Sequence, residues 1–324
     1  MAAPDRIDIF NGDADGICAL HQLRLHSPQP DARLITGPKR DIALLERVGE
    51  VSGQQITVLD ISLDRNRDAL RRLLALGNRV FYADHHFSGQ VIEHSLLETH
   101  LDPSPGVCTS LIVDRLLAGA HRLWAIAGAF GDNLDESAHR HAHALGLAAH
   151  EQERLKEVGL LLNYNGYGLS AEDLLVHPAD LFREIHRFDD PFVFYRDSEH
   201  LARLRQGYVA DMAQVADLCP ESLTASGRVF RLPATTWANR VVGMVANRFS
   251  REQPAMAHVV LLTHPDGDFQ VSVRAPLATG RGADELCRRY ATGGGRAAAA
   301  GINHLPAAEL AVFLADFARH FPAL

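Results

Sequence analysis

Four short stretches of this sequence bring together carboxylates and imidazoles that could share a cation. Asn11-Gly12-Asp13-Ala14-Asp15-Gly16 follows the apolar run Ile7–Phe10, and Asp60 closes Ile56-Thr57-Val58-Leu59. Asp84-His85-His86 closes Val80-Phe81-Tyr82-Ala83, and Gly131-Asp132-Asn133 closes the apolar stretch Leu123–Phe130. Carboxylate and imidazole donors without a thiolate suit a hard or borderline divalent ion such as Mn²⁺ or Mg²⁺. Taken singly, each stretch has a plainer explanation: an Asp after a strand often caps a helix, and a His pair often sits on a surface. Caps alone do not account for all four in this order.

The elements that would position these groups follow from periodicity. Ile7–Phe10, Arg33–Thr36, Ile56–Asp60 and Arg79–Ala83 read as buried strands, short and rich in Ile, Val and Phe. Amphipathic helices are expected between them, near Ile17–His26, Asp41–Val48 and Arg65–Leu76. Such alternation predicts a doubly wound parallel sheet, and ligands bind such sheets outside the carboxyl ends of the strands. Three of the four clusters then converge without further assumption. From Leu111 to about Leu162 the pattern is helical, Pro178–Asp190 is a further amphipathic piece, and Glu199–Leu218 reads as a helix. Strands return at Val229–Leu232, His258–Thr263 and Phe269–Arg274, the last two joined by a turn at Pro265-Asp266-Gly267-Asp268. Helices are expected at Trp237–Arg248, Ala283–Tyr290 and Ala307–Phe321. The expected fold class is α/β: a parallel-sheet domain over 1–190, a helical connector over 191–225 and a smaller α/β domain over 226–324. Asn163–Gly168 reads as a turn-rich loop, and His139, His141 and His143 as a solvated helix face.

Composition narrows the function. The chain has 324 residues, 47% hydrophobic and 22% charged, enough to bury a core without disulfides. Its net charge of −8 argues against an electrostatic grip on duplex nucleic acid, though not against a local basic groove. Cys18, Cys108, Cys219 and Cys287 form no CxxC pair, which fits a reducing compartment. Neither a leader pattern at Met1–Phe10 nor a membrane-length apolar run is apparent, so a soluble cytoplasmic protein is expected. The first strand is not followed by GxGxxG, which disfavours a dinucleotide-dependent enzyme.

In this order the motifs resemble the DHH phosphoesterase family, which includes RecJ-type single-strand exonucleases, oligoribonuclease and phosphoadenosine-phosphate phosphatases. Val271-Ser272-Val273-Arg274, followed by Gly293-Gly294-Gly295-Arg296-Ala297-Ala298-Ala299-Ala300-Gly301, resembles the associated DHHA1 domain, whose signature is a strand with Ser and Arg and then GGGHxxAAG. The resemblance implies a DHH domain and a DHHA1 domain with a cleft between them. It implies one or two divalent ions, Mn²⁺ preferred or Mg²⁺, on Asp13, Asp60, His85 and Asp132, with Asp60 bridging. Asp84 would orient His85, and His86 would face the phosphate as a hydrogen-bond donor or as the acid for the leaving group. Pro105–Ser110 resembles a loop that the family places near the site. Ser272, Arg274, Gly293, Gly294, Gly295 and Arg296 would hold the distal part of the substrate. The implied reaction is hydrolysis of phosphate esters of short oligonucleotides or small nucleotides by metal-bound hydroxide. The implied partner is a nucleotide or short single strand, and the family is compatible with a homodimer that no residue here specifies.

Two departures matter. The family's first motif usually supplies two metal-binding Asp residues, where this chain has Asn11 and Asp13. Asn11 contributes an amide oxygen without charge, so affinity at that subsite should fall. An alternative register makes Asp13 and Asp15 the pair. The second departure is Arg296 in place of the family's His, which keeps a cation for phosphate but gives up proton transfer. Both departures leave open a different class, a nucleotide-binding or regulatory protein with a degenerate site and weak or no hydrolysis.

Overall fold

A computed structural model describes residues 6–90, 92–224 and 227–321. Residues 1–5 of the N-terminal stretch, and the expected boundary at 225 and 226, lie outside the described residues. The chain divides into two units, Met1–Tyr208 and Val209–Leu324.

The first unit runs β1 (Arg6–Asn11), α1 (Ala14–His26), β2 (Arg33–Gly37), β3 (Gln55–Leu59), α2 (Arg67–Ala75), β4 (Arg79–Asp84) and β5 (Leu97–Leu101). The five strands form one parallel sheet in the order β2-β1-β3-β4-β5. Alternate residues feed opposite faces. Ile7, Ile9, Ile56, Val58, Val80 and Tyr82 pack with Leu70, Leu73 and Leu74 of α2 on one face. Phe10, Leu59 and Ala83 pack with Ile17 and Leu20 of α1, Trp124 and Leu161 on the other. This two-sided burial explains why three of the strands read as near-continuous apolar runs.

Six further helices complete the unit: α3 (Thr109–Leu116), α4 (Arg122–Gly131), α5 (Asp135–Ala144), α6 (Ala149–Gly166), α7 (Pro178–Ile185) and α8 (Pro191–Asp197). The division between the units falls inside the next helix, α9 (Glu199–Ala213), whose Leu201 and Leu204 belong to the first unit's core. The expected connector 191–225 therefore straddles the division.

The second unit holds β6 (Ser222–Leu223), β7 (Gly227–Leu232), α10 (Thr236–Glu252), β8 (Ala257–Thr263), β9 (Phe269–Arg274), α11 (Ala283–Cys287), β10 (Gly293–Gly295), β11 (Ala299–Leu305) and α12 (Leu310–His320). Its mixed sheet has the order β10-β11-β9-β8-β7-β6. The expected turn at 265–268 joins β8 and β9 as an antiparallel pair. Among the described residues, no helix is long and apolar enough to cross a membrane.

Several expectations differ from the structure for identifiable reasons. β5 is an edge strand whose Glu98, Thr99 and His100 give it no apolar run. Asp41–Val48 shortens to a 3₁₀ turn at Leu44–Val48, and Asn163–Gly166 is the last turn of α6 rather than loop. The Gly293–Gly295 run, whose bland reading is a loop, is a strand paired to β11, which is itself built partly from the Ala run. Glycine and alanine carry no side-chain pattern that would signal a strand.

Candidate metal centre

The carboxyl ends of β2, β1, β3 and β4 deliver Lys39, Asp13, Asp60 and Asp84-His85-His86 to one place, and the end of α4 adds Asp132. The sheet order puts β1 and β3 side by side where the winding reverses, the position at which such sheets bind ligands.

Asp13 is the N-cap of α1. Its Oδ1 accepts from the backbone N–H groups of Asp15 and Gly16, each at 3.1 Å, and its Oδ2 lies 2.5 Å from Lys39 Nζ. Burial alone would raise its pKa, but the Lys39 charge and these hydrogen bonds hold the carboxyl below the usual range. A Cβ at Gly16 would lie 2.2 Å from the Asn11 carbonyl oxygen, so this tight strand-to-helix turn requires glycine there.

Asp60 has φ +59°, a left-handed conformation that costs about 1 kcal/mol for a non-glycine residue. It accepts from Thr109 Oγ1 at 3.2 Å. Burial, with the charges of Asp15 and Asp13, pushes its carboxyl well above the carboxylate range. The site is short of positive charge.

His85 defines the centre most sharply. Its Nδ1 lies 3.0 Å from the Val107 carbonyl, which can only accept, so Nδ1 carries the proton. In the neutral ring the Nε2 lone pair then faces oxygens of Asp60 at 3.4 Å, Asp132 at 3.8 Å and Asp15 at 3.9 Å. A lone pair aimed at carboxylates is repulsive unless a proton or a cation lies between them. Donors sharing one ion at ~2.1 Å stand roughly 3.0–3.4 Å apart, close to this spacing. Asp132 Oδ2 is buried without a hydrogen-bond partner, as is Asn11 Oδ1. Donor atoms of Asp60, His85 and His86 also lie within 4.8 Å of one another. Asp60, His85 and His86 are donors close enough together for one divalent ion, and Asp132 Oδ2 lies beside them, 3.8 Å from His85 Nε2.

Asp84 does not bond to His85, as the resemblance implied. Its Oδ1 pairs with His86 Nδ1 at 2.7 Å, because Val107 already occupies the inner nitrogen of His85. Burial opposes a charge on His86, but the Asp84 hydrogen bond and charge raise its pKa. Asp15 is placed differently again: its two oxygens accept from Thr109 N and Ser110 N, both at 2.7 Å, and so cap α3.

No family model and no curated protein matches the sequence. Solved structures do. A DHH-domain protein described as a member of the s1p family of ribosomal proteins superposes with a TM-score of 0.67 at 15% identity, covering 97% of this chain and 86% of its own. The fold is that of DHH-domain proteins. Exonuclease RecJ bound to manganese matches with a TM-score of 0.63 at 19% identity, covering 98% of this chain and 91% of its own. A pGpG-specific phosphodiesterase from Vibrio cholerae matches with a TM-score of 0.54 at 14% identity, covering 97% and 99%.

Within this DHH fold the second, mixed-sheet unit is of the DHHA1 type. Gly294, Gly301 and Ser272 are register partners across β10, β11 and β9. A Cβ on Gly294 would meet nothing within 4 Å, so the backbone is uncovered at that position. Arg274 ends β9 with its Nε on Asn247 Oδ1 at 2.7 Å. Arg296 is exposed in the turn between β10 and β11. Gly293 and Gly295 flank Gly294 in the same strand.

Sequence reasoning passed over Lys39 and placed Asn163 in a turn-rich loop. Lys39 Nζ lies 3.4 Å from both Asp132 Oδ1 and Asn163 Oδ1, besides its contact with Asp13. Burial disfavours its charge, but Asp13 and Asp132 hold its pKa well above the usual value. A signal was present: Gly37-Pro38-Lys39 follows the apolar run of β2, the same strand-end position that singled out the carboxylates. The solvated-helix reading of His139 is modified too, because its Nδ1 pairs with Gln152 Oε1 at 2.7 Å.

Proposed function

We propose that this protein is a metal-dependent phosphoesterase acting on phosphate esters of short single-stranded oligonucleotides or small nucleotides, with Mn²⁺ preferred or Mg²⁺. The observation that carries the reading is the His85 lone pair facing Asp60 and Asp132 with its other nitrogen locked on Val107. The fold shared with a manganese-bound exonuclease and a pGpG phosphodiesterase supports it.

Asp60, His85 and Asp132 would hold the ion. The ion would supply charge neutralisation at the phosphate and a lowered pKa for attacking water. His86 is 45% exposed at its side chain, and Asp84 fixes its Nδ1–H. Its raised pKa favours the imidazolium, whose Nε2–H would donate to a phosphate oxygen or to the leaving group. In the second unit Ser272, Arg274, the Gly293–Gly295 strand and Arg296 would bind the distal part of the substrate, since a bare glycine backbone admits close approach and guanidinium suits phosphate. A net charge of −8 favours small substrates over long duplexes.

The test is turnover of a dinucleotide, a short single strand, a 3′-phosphoadenosine nucleotide, a cyclic dinucleotide and pyrophosphate with Mn²⁺ or Mg²⁺. His85→Ala serves as the control. Metal-dependent release that is lost in the variant is the expected result. One observation favours a second reading: neutral Asn11, with its Oδ1 unpartnered, weakens the first motif. Nucleotide binding without turnover of any substrate would make this a binding or regulatory protein.

A further inference from the structure

The donors around Asp13 are already spoken for. Asp13 Oδ1 caps α1 and its Oδ2 pairs with Lys39 at 2.5 Å. Asp132 splits its carboxylate: Oδ1 lies 3.4 Å from Lys39 Nζ, and Oδ2 lies 3.8 Å from His85 Nε2. Asn11, where the resemblance calls for a second carboxylate, is neutral, and its Nδ2 donates to the Lys39 carbonyl at 3.3 Å. An ammonium has three N–H donors, and Lys39 meets three acceptors, Asp13 closely and Asp132 and Asn163 at longer range.

The lysine is held from its backbone as well. Its N–H donates to the Gly166 carbonyl at 2.7 Å, at the end of the helix that carries Asn163. The side chain is 30% exposed, with its head on the two acids. Of the anionic and imidazole donors, those left over are Asp60, His85 Nε2, Asp132 Oδ2 and the outward Nε2 of His86, and none of them comes from the Asn11–Asp15 motif.

We propose that the Lys39 ammonium stands in the place of a second divalent ion, so that this chain builds a one-metal centre with a covalently tethered cation beside it. The proposal rests on the phosphoesterase reading for the existence of the first ion. Asp132, not Asp60, is then the carboxylate shared by the two cations. The neutral Asn11 and the cationic Lys39 answer each other: one carboxylate fewer, and a monovalent ammonium where a divalent ion would sit. A tethered ammonium also differs from an ion in surviving chelators, so the Asp13 side of the site keeps its cation when the metal is stripped.

The experiment counts Mn²⁺ per folded chain by calorimetric titration and elemental analysis, with electron paramagnetic resonance to separate isolated from exchange-coupled ions. Wild type should bind one ion and give an isolated-ion spectrum. Asn11→Asp combined with Lys39→Met should bind two and give a coupled spectrum, while Lys39→Arg should remain at one. Two ions in the wild type would overturn the proposal while leaving the phosphoesterase reading intact. A folded double variant that still binds one ion would overturn it as well. No bound ion in the wild type would instead bring down the phosphoesterase reading on which the proposal stands. Circular dichroism checks the fold of each variant, and the wild-type count decides the matter even where a variant does not fold.

Discussion

Asp84 Oδ1 accepts from His86 Nδ1 at 2.7 Å, while Asp84 itself is fully buried at the end of β4. The bond fixes the tautomer of His86 and points its Nε2 outward, as a carboxylate does for any imidazole that must exchange a proton at one defined atom. Asp84→Asn keeps the shape and removes the charge. Turnover should fall on the order of 10²-fold or more, with KM little changed and Mn²⁺ content retained. Steady-state kinetics beside metal analysis checks this. Loss of metal in parallel with activity would mean that Asp84 acts through the ion site and not through His86.

Asp15 offers the opposite signature. Both its oxygens accept backbone N–H groups at the start of α3, from Thr109 and Ser110. Asp15→Ala leaves two buried donors unsatisfied, at about 1–3 kcal/mol each. Urea unfolding should show a loss of about 2–6 kcal/mol. If the variant instead unfolds normally but no longer binds Mn²⁺, the register that makes Asp13 and Asp15 the ligand pair is the right one.

The sequence showed most clearly what the sheet buries on both faces. β1, β3 and β4 announce themselves because every residue of a doubly covered strand tends to be apolar, and the acids stand out where those runs stop. β5, β10 and β11 were hidden for opposite reasons: one is a polar edge strand, and the others are made largely of glycine and alanine. The carboxylates and histidines of the site were legible as types, but their pairings were not. Nothing in the order Asp84-His85-His86 tells that the carboxylate reaches past its neighbour to the second ring. That depends on the Val107 carbonyl arriving from a separate loop. Lys39 escaped because a search for metal ligands looks for anions, whereas a cation at the same strand-end position answers the same electrostatic need.

Two buried histidines predict acid sensitivity in each unit separately. Burial and the neighbouring His186 hold His21 down to about 3. In the second unit, burial and Arg228 hold His258 down to about 4. Their unfolded values stand near 6.5, so below that pH the unfolded chain binds more protons than the folded one. The stabilisation is complete above about pH 6.5 and is lost as pH falls toward the folded values, at about 1.4 kcal/mol per pH unit and per site. Denaturant unfolding between pH 7 and 5 should show this slope, and His258→Gln should flatten it for the second unit. A stability that does not change over that range would mean that neither ring is held neutral.

The placement of Asp132 depends on two helices approaching closer than side chains allow. A Cβ on Gly131 would lie 2.8 Å from the Gly159 carbonyl oxygen, and one on Gly159 would lie 2.1 Å from the Ala127 carbonyl oxygen. α4 and α6 therefore meet backbone to backbone, with Asp132 following the first and Asn163 carried by the second. Gly159→Ala must force them apart, at about 1–3 kcal/mol or more for overpacking. It should also weaken Mn²⁺ binding, since the shift moves Asp132 relative to His85. Gly146→Ala is the comparison. Gly146 has φ +70° but open space around it, so the substitution should cost about 1 kcal/mol of backbone strain and leave metal affinity unchanged. Thermal melts and Mn²⁺ titrations of the two variants separate the effects. Equal losses of stability with equal metal affinity would show that the close helix approach serves the core alone and does not set the position of Asp132.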